Sequence, residues 1–273
     1  MFDMPLIGED FQELADLAYS FLIALALAMA RISGMVLIFP VFVRTGITGI
    51  LRTGVVIAIA LPLVPFAIDQ INQADEASRM FIAGVLLKEG FVGFLLGFAF
   101  GIPFWGVEAA GEIVDFQRGL IGASISDPSQ TGEASVTGTL LVLTMITMFF
   151  LVGGMSIVIE TLYQSYAIWP LFDFTPKLST ESAAAMFKLI DEIMKLAFVI
   201  AGPVMIAMFL GDAVLAAITR FAPQLNVFVL SMGVKSAIFI AMMPIYAVFI
   251  FDYIGNAFAP LYDIGEQFRR MIR

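Results

Sequence analysis

ASVTGTLLVLTMITMFFLVGGMSIVI, residues 134–159, carries no charged side chain. A helix needs roughly 20 apolar residues in succession to cross a bilayer, and this stretch exceeds that length. Its polar and apolar residues do not alternate, as they would in a membrane β-strand. Lipid offers no partners to backbone N–H and C=O groups, so a spanning segment satisfies them internally, as a helix. Four shorter charge-free runs accompany it, at 53–68, 90–107, 196–211 and 236–251. Each reaches spanning length only with its flanks, where Lys and Arg side chains snorkel toward the interface.

The whole composition agrees with that stretch. Of 273 residues, 60% are apolar and 14% are charged, and the mean hydropathy is +0.98. Soluble domains average roughly a quarter charged residues, so this chain lacks the charges for a fully wetted surface. Six hydrophobic helical regions are expected, at about 17–43, 53–68, 80–108, 134–168, 183–218 and 225–260. No linker divides them, and residues 1–273 read as one membrane-embedded, all-α domain. The absence of cysteine and histidine removes disulfides, thiol chemistry, the commonest metal ligand and the commonest general base, and no cofactor is expected. A net charge of −9 with no basic run leaves no electrostatic footprint for nucleic acid. The first residues carry Asp3, Glu9, Asp10, Glu13 and Asp16 without a Lys or Arg, the reverse of a signal-peptide n-region.

Charge placement predicts topology. The acidic N-terminus and the 69–79 loop belong outside. Arg44 and Arg52 put the 43–53 loop in the cytoplasm, and Arg269, Arg270 and Arg273 put the C-terminus there as well. Six full crossings would return the C-terminus to the N-terminal side, so parity and charge conflict. The conflict predicts that one region enters without crossing, or that some helices pack inside a complex rather than in lipid.

Several residues need a reason to be where they are. Arg31 stands in the middle of the first region, where a charge costs several kcal/mol unless a carboxylate or carbonyls meet it. It either contacts a partner helix or a lumen, or forms an internal ion pair. Gly93 and Gly97, after Lys88 and Glu89, form a G-x-x-x-G pair that lets helices approach closely, a motif any bundle can use. Glu108, Glu112 and Asp115 are spaced to share one helical face. Three carboxylates there could hold a cation, move protons, or mark a wet face lining a cavity. Beyond Arg118 the character changes: Gly119, Leu120, Ile121, Gly122, Ala123, Ser124, Ile125, Ser126, Asp127 and Pro128 are mostly small or helix-breaking. Irregular backbone at membrane depth is tolerated only inside protein or beside water. The segment is either an ordinary surface loop or a flexible constriction.

One block is more specific: Phe221, Ala222, Pro223, Gln224, Leu225 and Asn226, continuing through Val227 and Phe228. With Arg31 followed by Pro40, Arg52-Thr53-Gly54, the run from Glu89 to Phe98, and Gly111-Glu112 leading to Asp127-Pro128 in the same order, the chain resembles the type III export-gate subunit family, called SctT in injectisomes and FliR in flagella. The continuation Leu230-Ser231-Met232-Gly233-Val234-Lys235-Ser236 resembles the injectisome branch more closely. The resemblance implies a fold of broken helical hairpins, an SctR-like part followed by an SctS-like hairpin. It implies a bacterial inner-membrane assembly with SctR-like and SctS-like subunits around a conduit for unfolded polypeptide, with an SctU-like partner at the entrance. It places a plug loop at about 119–133, where Gly122 and Ile125 replace aromatic residues of flagellar relatives. Arg31, Glu108, Glu112 and Asp115 become conduit-lining or buried charges, and 221–228 a turn between hairpins.

Three other functions compete. A secondary transporter of a small molecule fits broken helices and membrane carboxylates, and predicts inverted repeats, which the sequence does not display. A membrane enzyme would need an activated nucleophile or a paired acid and base, and no such setting is recognisable; no Walker-type Gly-Lys-Ser/Thr occurs either. An assembly scaffold would differ from the gate only if 119–133 never met substrate.

Overall fold

A computed structural model describes residues 6–73, 79–120, 125–126, 133–174, 180–224 and 226–257. The chain is an all-α polytopic membrane protein. Its helices are α1 (Leu6–Ile38), α2 (Pro40–Arg44), α3 (Gly49–Ala60), α4 (Val64–Gln73), α5 (Arg79–Arg118), α6 (Val136–Leu151), α7 (Gly154–Ile168), α8 (Thr180–Ile218) and α9 (Val227–Ala257). Two two-residue strands, β1 (Ile125–Ser126) and β2 (Glu133–Ala134), pair antiparallel with Ile125 opposite Ala134. Five stretches are long and apolar enough to cross a bilayer: Leu17–Ile38, Gly49–Ile71, Met80–Arg118, Ile193–Ile218 and Val227–Pro244. The α6–α7 pair makes a sixth if its halves form one span.

Two expectations about element limits change. The opening stretch, 134–159, is not one straight helix: α6 and α7 meet at a bend of 75°. Gly153 supplies the break by adopting φ 75°, a left-handed conformation that costs glycine little. The region expected at 80–108 continues as helix to Arg118. Charged residues ended the hydropathy signal there, but they did not end the helix, because protein groups partner Glu108 and Asp115.

Long α5 organises the molecule. At 40 residues, and about 1.5 Å per residue, it is roughly 60 Å long, about twice the hydrocarbon thickness. Its buried positions Val85, Glu89, Val92, Leu96 and Phe100 recur every three or four residues, the period of one helical face. The α1 face carrying Leu27, Arg31, Ile32 and Met35 lies against it. That packing is close enough that a Cβ on Gly93 would run into the Arg31 carbonyl, and one on Gly97 into the Met35 carbonyl. The G-x-x-x-G pair therefore acts in the interior of this chain. Near the bend, the Phe39 ring lies 5.5 Å from Phe104, 5.9 Å from Phe149 and 6.1 Å from Phe100, distances at which aromatic rings attract.

Contacts along α5 fix the directions of its neighbours. Arg31 meets Gly93 and Met35 meets Gly97, so α1 runs parallel to α5. Arg52 bonds the Val36 carbonyl, and Tyr166 touches both Phe66 and the Ala28 carbonyl, so α3–α4 runs back along α1. Thr137 lies beside Asp115, Phe149 beside Phe104, and Trp169, just after α7, beside Lys88, so bent α6–α7 runs back along α5 from Asp115 to Lys88. Leu196 sits against Gly106 while Ile200 and Val204 share a small cavity with Ala110 and Val114, which sets α8 parallel to α5. Lys235 and Ser231 on α9 bond Asp212 on α8, so these two form an antiparallel hairpin. Direction thus alternates through all six regions. The expectation that one region enters without crossing is carried by α6–α7, whose 75° bend fits a broken span or a re-entrant segment; the C-terminal arginines lie outside the described residues. The other resolution of the parity conflict, helices packed in a larger complex, fits the surface: no residue of the 227–244 window is buried, and Phe228, Val229 and Ile240 are exposed.

Candidate functional site

Two polar clusters stand on α5, one toward each end. Toward its N-terminal end Arg31 reaches Glu89 in a two-pronged ion pair, Nε to Oε2 at 2.7 Å and Nη2 to Oε1 at 3.0 Å. Its Nη1 donates to the Ser165 hydroxyl at 2.7 Å, and Nη2 also donates to the Trp169 carbonyl at 2.9 Å. The guanidinium lies 3.8 Å from the centre of the Tyr166 ring, a cation–π contact. Lys88 adds its ammonium to Glu89 at 2.7 Å and donates to the carbonyls of Pro170 and Leu171. Arg31 and Glu89 have no exposed surface. Of the two readings of Arg31, the geometry contains the internal ion pair: it joins α1, α5, α7 and the chain after α7.

Toward the C-terminal end the three carboxylates of one helical face meet different surroundings. Glu108 pairs with Arg44 of α2 at 2.6 Å. Glu112 is exposed. Asp115 is buried and accepts four hydrogen bonds from side chains and backbone: the Ser135 hydroxyl at 2.6 Å, the Thr137 hydroxyl at 2.6 Å, the Thr137 N–H at 2.8 Å and the Arg118 guanidinium at 3.1 Å. Ser135 is the N-cap of α6 and accepts from the Gly138 N–H at 2.8 Å. Asp115 therefore satisfies a free N–H in the first turn of α6, where the helix dipole favours an anion. No group of three or more metal-ligating side chains occurs among the described residues.

The segment between these helices begins with a helix stop. Gly119 has φ 76°, its N–H bonds the Phe116 carbonyl, and the Leu120 N–H bonds the Asp115 carbonyl. This is the pattern of a glycine-terminated helix. Of the predicted loop residues, Gly119, Leu120, Ile125 and Ser126 have described backbone. Ile121, Gly122, Ala123, Ser124, Asp127 and Pro128 lie outside the described residues. The expected turn between hairpins lies instead within one: α8 ends at Ile218, five residues before Pro223, and α9 starts at Val227. Between them Phe221, Pro223 and Gln224 are exposed and Ala222 is partly covered; Leu225 lies outside the described residues. Asn226 caps α9, accepting from the Val229 N–H at 3.4 Å and, through its carbonyl, from Leu230. Ser135 and Thr137 were missed as site residues. The signal for them was a Ser and a Thr at the entry to an apolar helix, a capping pattern.

Comparison with known proteins completes the identification of the class. The model of "Bacterial export proteins, family 1" matches residues 22–261. The chain is 37% identical over 252 residues to "Yop proteins translocation protein T" of Yersinia pestis, covering 92% of this chain and 95% of that one. It is 30% identical to "Surface presentation of antigens protein SpaR" of Salmonella typhimurium, with 81% of each chain covered. It is 28% identical to "Flagellar biosynthetic protein FliR" of Bacillus subtilis, over 86% of this chain and 90% of that one. A polytopic helical membrane protein with these relatives belongs to the bacterial export proteins, family 1.

Proposed function

We propose that this chain is a subunit of the export gate of a type III protein secretion system in the bacterial inner membrane, not an enzyme, and that it helps to form and close the conduit for unfolded polypeptide. The observation that carries the reading is the match along nearly the whole chain to a translocation protein. The structure supports it in two ways. Helices α5 and α8, of 40 and 39 residues, outrun a bilayer by about twofold, which suits a body held within a larger assembly. The exposed apolar face of α9 asks for protein or lipid cover. SctR-like, SctS-like and SctU-like subunits are the partners, residues 1–273 act as one unit, and the α8–α9 hairpin is its SctS-like part. Greater identity to the translocation protein than to the flagellar one favours the injectisome branch. Exposed Glu112 is the carboxylate best placed to line the conduit.

In this reading residues 119–133 are the gate. Their serines offer no strong site to any particular side chain of a passing polypeptide, and their glycines let the backbone move aside. Deleting residues 122–129 leaves assembly intact and makes membranes containing the complex leak ions. Bilayer conductance measures this, and an unchanged conductance would remove the gate.

A further inference from the structure

We infer that the N-terminal stretch of α1 is a docking surface for a helix of another subunit, one with an apolar stripe flanked by Lys or Arg. The inference deepens the reading of this chain as a member of a mixed assembly, and it rests on that reading. Helix α1 starts at Leu6, yet among its described residues the first buried one is Ala24. Every residue described between Phe11 and Tyr19 is exposed. The neighbours of α1 stop short of this stretch. Counting back along parallel α1 and α5 from the Arg31–Glu89 pair, α5 runs out at Arg79, level with Phe21. Helix α4 ends at Gln73, two turns or so beyond Phe66, which shares Tyr166 with the Ala28 carbonyl. The stretch from Leu6 to Ser20 therefore extends past the body by roughly 20 Å, at about 1.5 Å per residue. A helix this short is marginal in water without a partner to cover it.

Its pattern says what the partner is. Phe11, Leu14, Ala18 and Phe21 fall three or four residues apart, on one helical face. Phe11 is 70% exposed and Leu14 64%, and neighbouring Leu17 and Leu22 widen the stripe. Glu9, Glu13 and Asp16 occupy positions i, i+4 and i+7 on another face, and no Lys or Arg precedes Arg31. Two further carboxylates, Asp69 on α4 and Asp173 after α7, are exposed at the same end of the body. Helices that lie in a membrane surface carry Lys and Arg on their polar face and are drawn to anionic headgroups; an acidic face is repelled by them. A second copy laid along the stripe would set carboxylates against carboxylates. The chain's own Arg269, Arg270 and Arg273 have the right sign but start too far away. With Ile250 and Ile200 lining one small cavity, and Leu196 against Gly106, α9 ends at Ala257 near the middle of α5, roughly 30 Å from the level of Arg79. The chain from Ala257 to Arg269 covers about 40 Å only when fully stretched, which reaches the base of the stripe and no further. A basic helix from another subunit meets both requirements, with an apolar seam for area and flanking charges for choice of partner.

The test uses the complete complex, co-expressed and purified in detergent, with p-benzoylphenylalanine in place of Leu14. Adducts formed on illumination are mapped by mass spectrometry. The expected adduct lies on a helix of another subunit, within two turns or so of several Lys or Arg residues. In a second form, Glu9→Lys, Glu13→Lys and Asp16→Lys are added. The adduct should fall several-fold while helix content by circular dichroism matches the parent. Raising the salt concentration should lower the adduct in the unreversed form as well, since screening weakens exposed charge pairs, and this readout needs no charge-reversed variant to fold. An adduct to lipid, to a second copy, to residues 258–273 of the same chain or to a helix without basic residues would overturn the proposal. So would a yield indifferent to both charge reversal and salt, or no adduct at all. In each of those cases the mixed complex has still formed, so the assembly reading stands and only the docking surface falls. If the chain purifies without other subunits, the assembly reading falls and takes the docking surface with it.

Discussion

The two polar clusters on α5 use similar chemistry for opposite ends. Both set an arginine against a carboxylate and add hydroxyl and backbone groups. At the Arg31 cluster the pair is sealed completely, with bidentate geometry and groups drawn from residues 31, 88, 89, 165 and 169. At the Asp115 cluster the ion pair is local, three residues apart on one helix turn, and 13% of the Arg118 side chain remains exposed. The first joins segments distant in sequence, and breaking it leaves a charge in the core. The second joins the ends of one loop beside partly wetted surface. The comparison teaches that a buried ion pair is read by what it connects and by how dry it is.

Substitutions separate the two. Arg31→Met should have the larger effect, because removing one partner of a buried pair costs about 3–5 kcal/mol. Lys88 still faces Glu89, which places the loss at the lower end of that range. Unfolding in detergent, followed by circular dichroism, should show it, with a lower yield of assembled complex. Thr137→Val should have the smaller effect. It removes one hydroxyl donor to Asp115, and a hydrogen bond to a charged group contributes about 1.5–3 kcal/mol, of which the remaining three donors recover part. Assembly should persist, and the same unfolding measurement should show a smaller loss than for Arg31→Met. Equal destabilisation by the two substitutions would erase the distinction between the sealed, long-range pair and the local, partly wetted one.

Much of this was legible in the sequence. Five charge-free runs and the apolar stretch around Arg31 marked six helical regions, and the cost of Arg31 in an apolar helix predicted a partner. Gly119 marked the end of α5, and Pro223 with Asn226 marked a turn, which lies within the α8–α9 hairpin rather than between hairpins. Three things were harder to read. Which group meets Arg31 depends on α1 packing against α5, and Glu89 is 58 residues away. The spacing of Glu108, Glu112 and Asp115 placed them on one face, but spacing says nothing about neighbours: Arg44, solvent-facing surface and the start of α6 give the three different roles. The 75° bend was hidden by hydropathy, since Gly153 and Gly154 are as uncharged as the helices they separate. A glycine pair inside an apolar run was the available signal.

The central claim is that this chain works as one member of a mixed membrane assembly. Co-expression with SctR-like and SctS-like proteins from the same source, followed by intact mass of the detergent-purified complex, tests it most directly. The account predicts one copy of this chain with several copies of each partner. A lone monomer, or a symmetric homodimer without the partners, would contradict it.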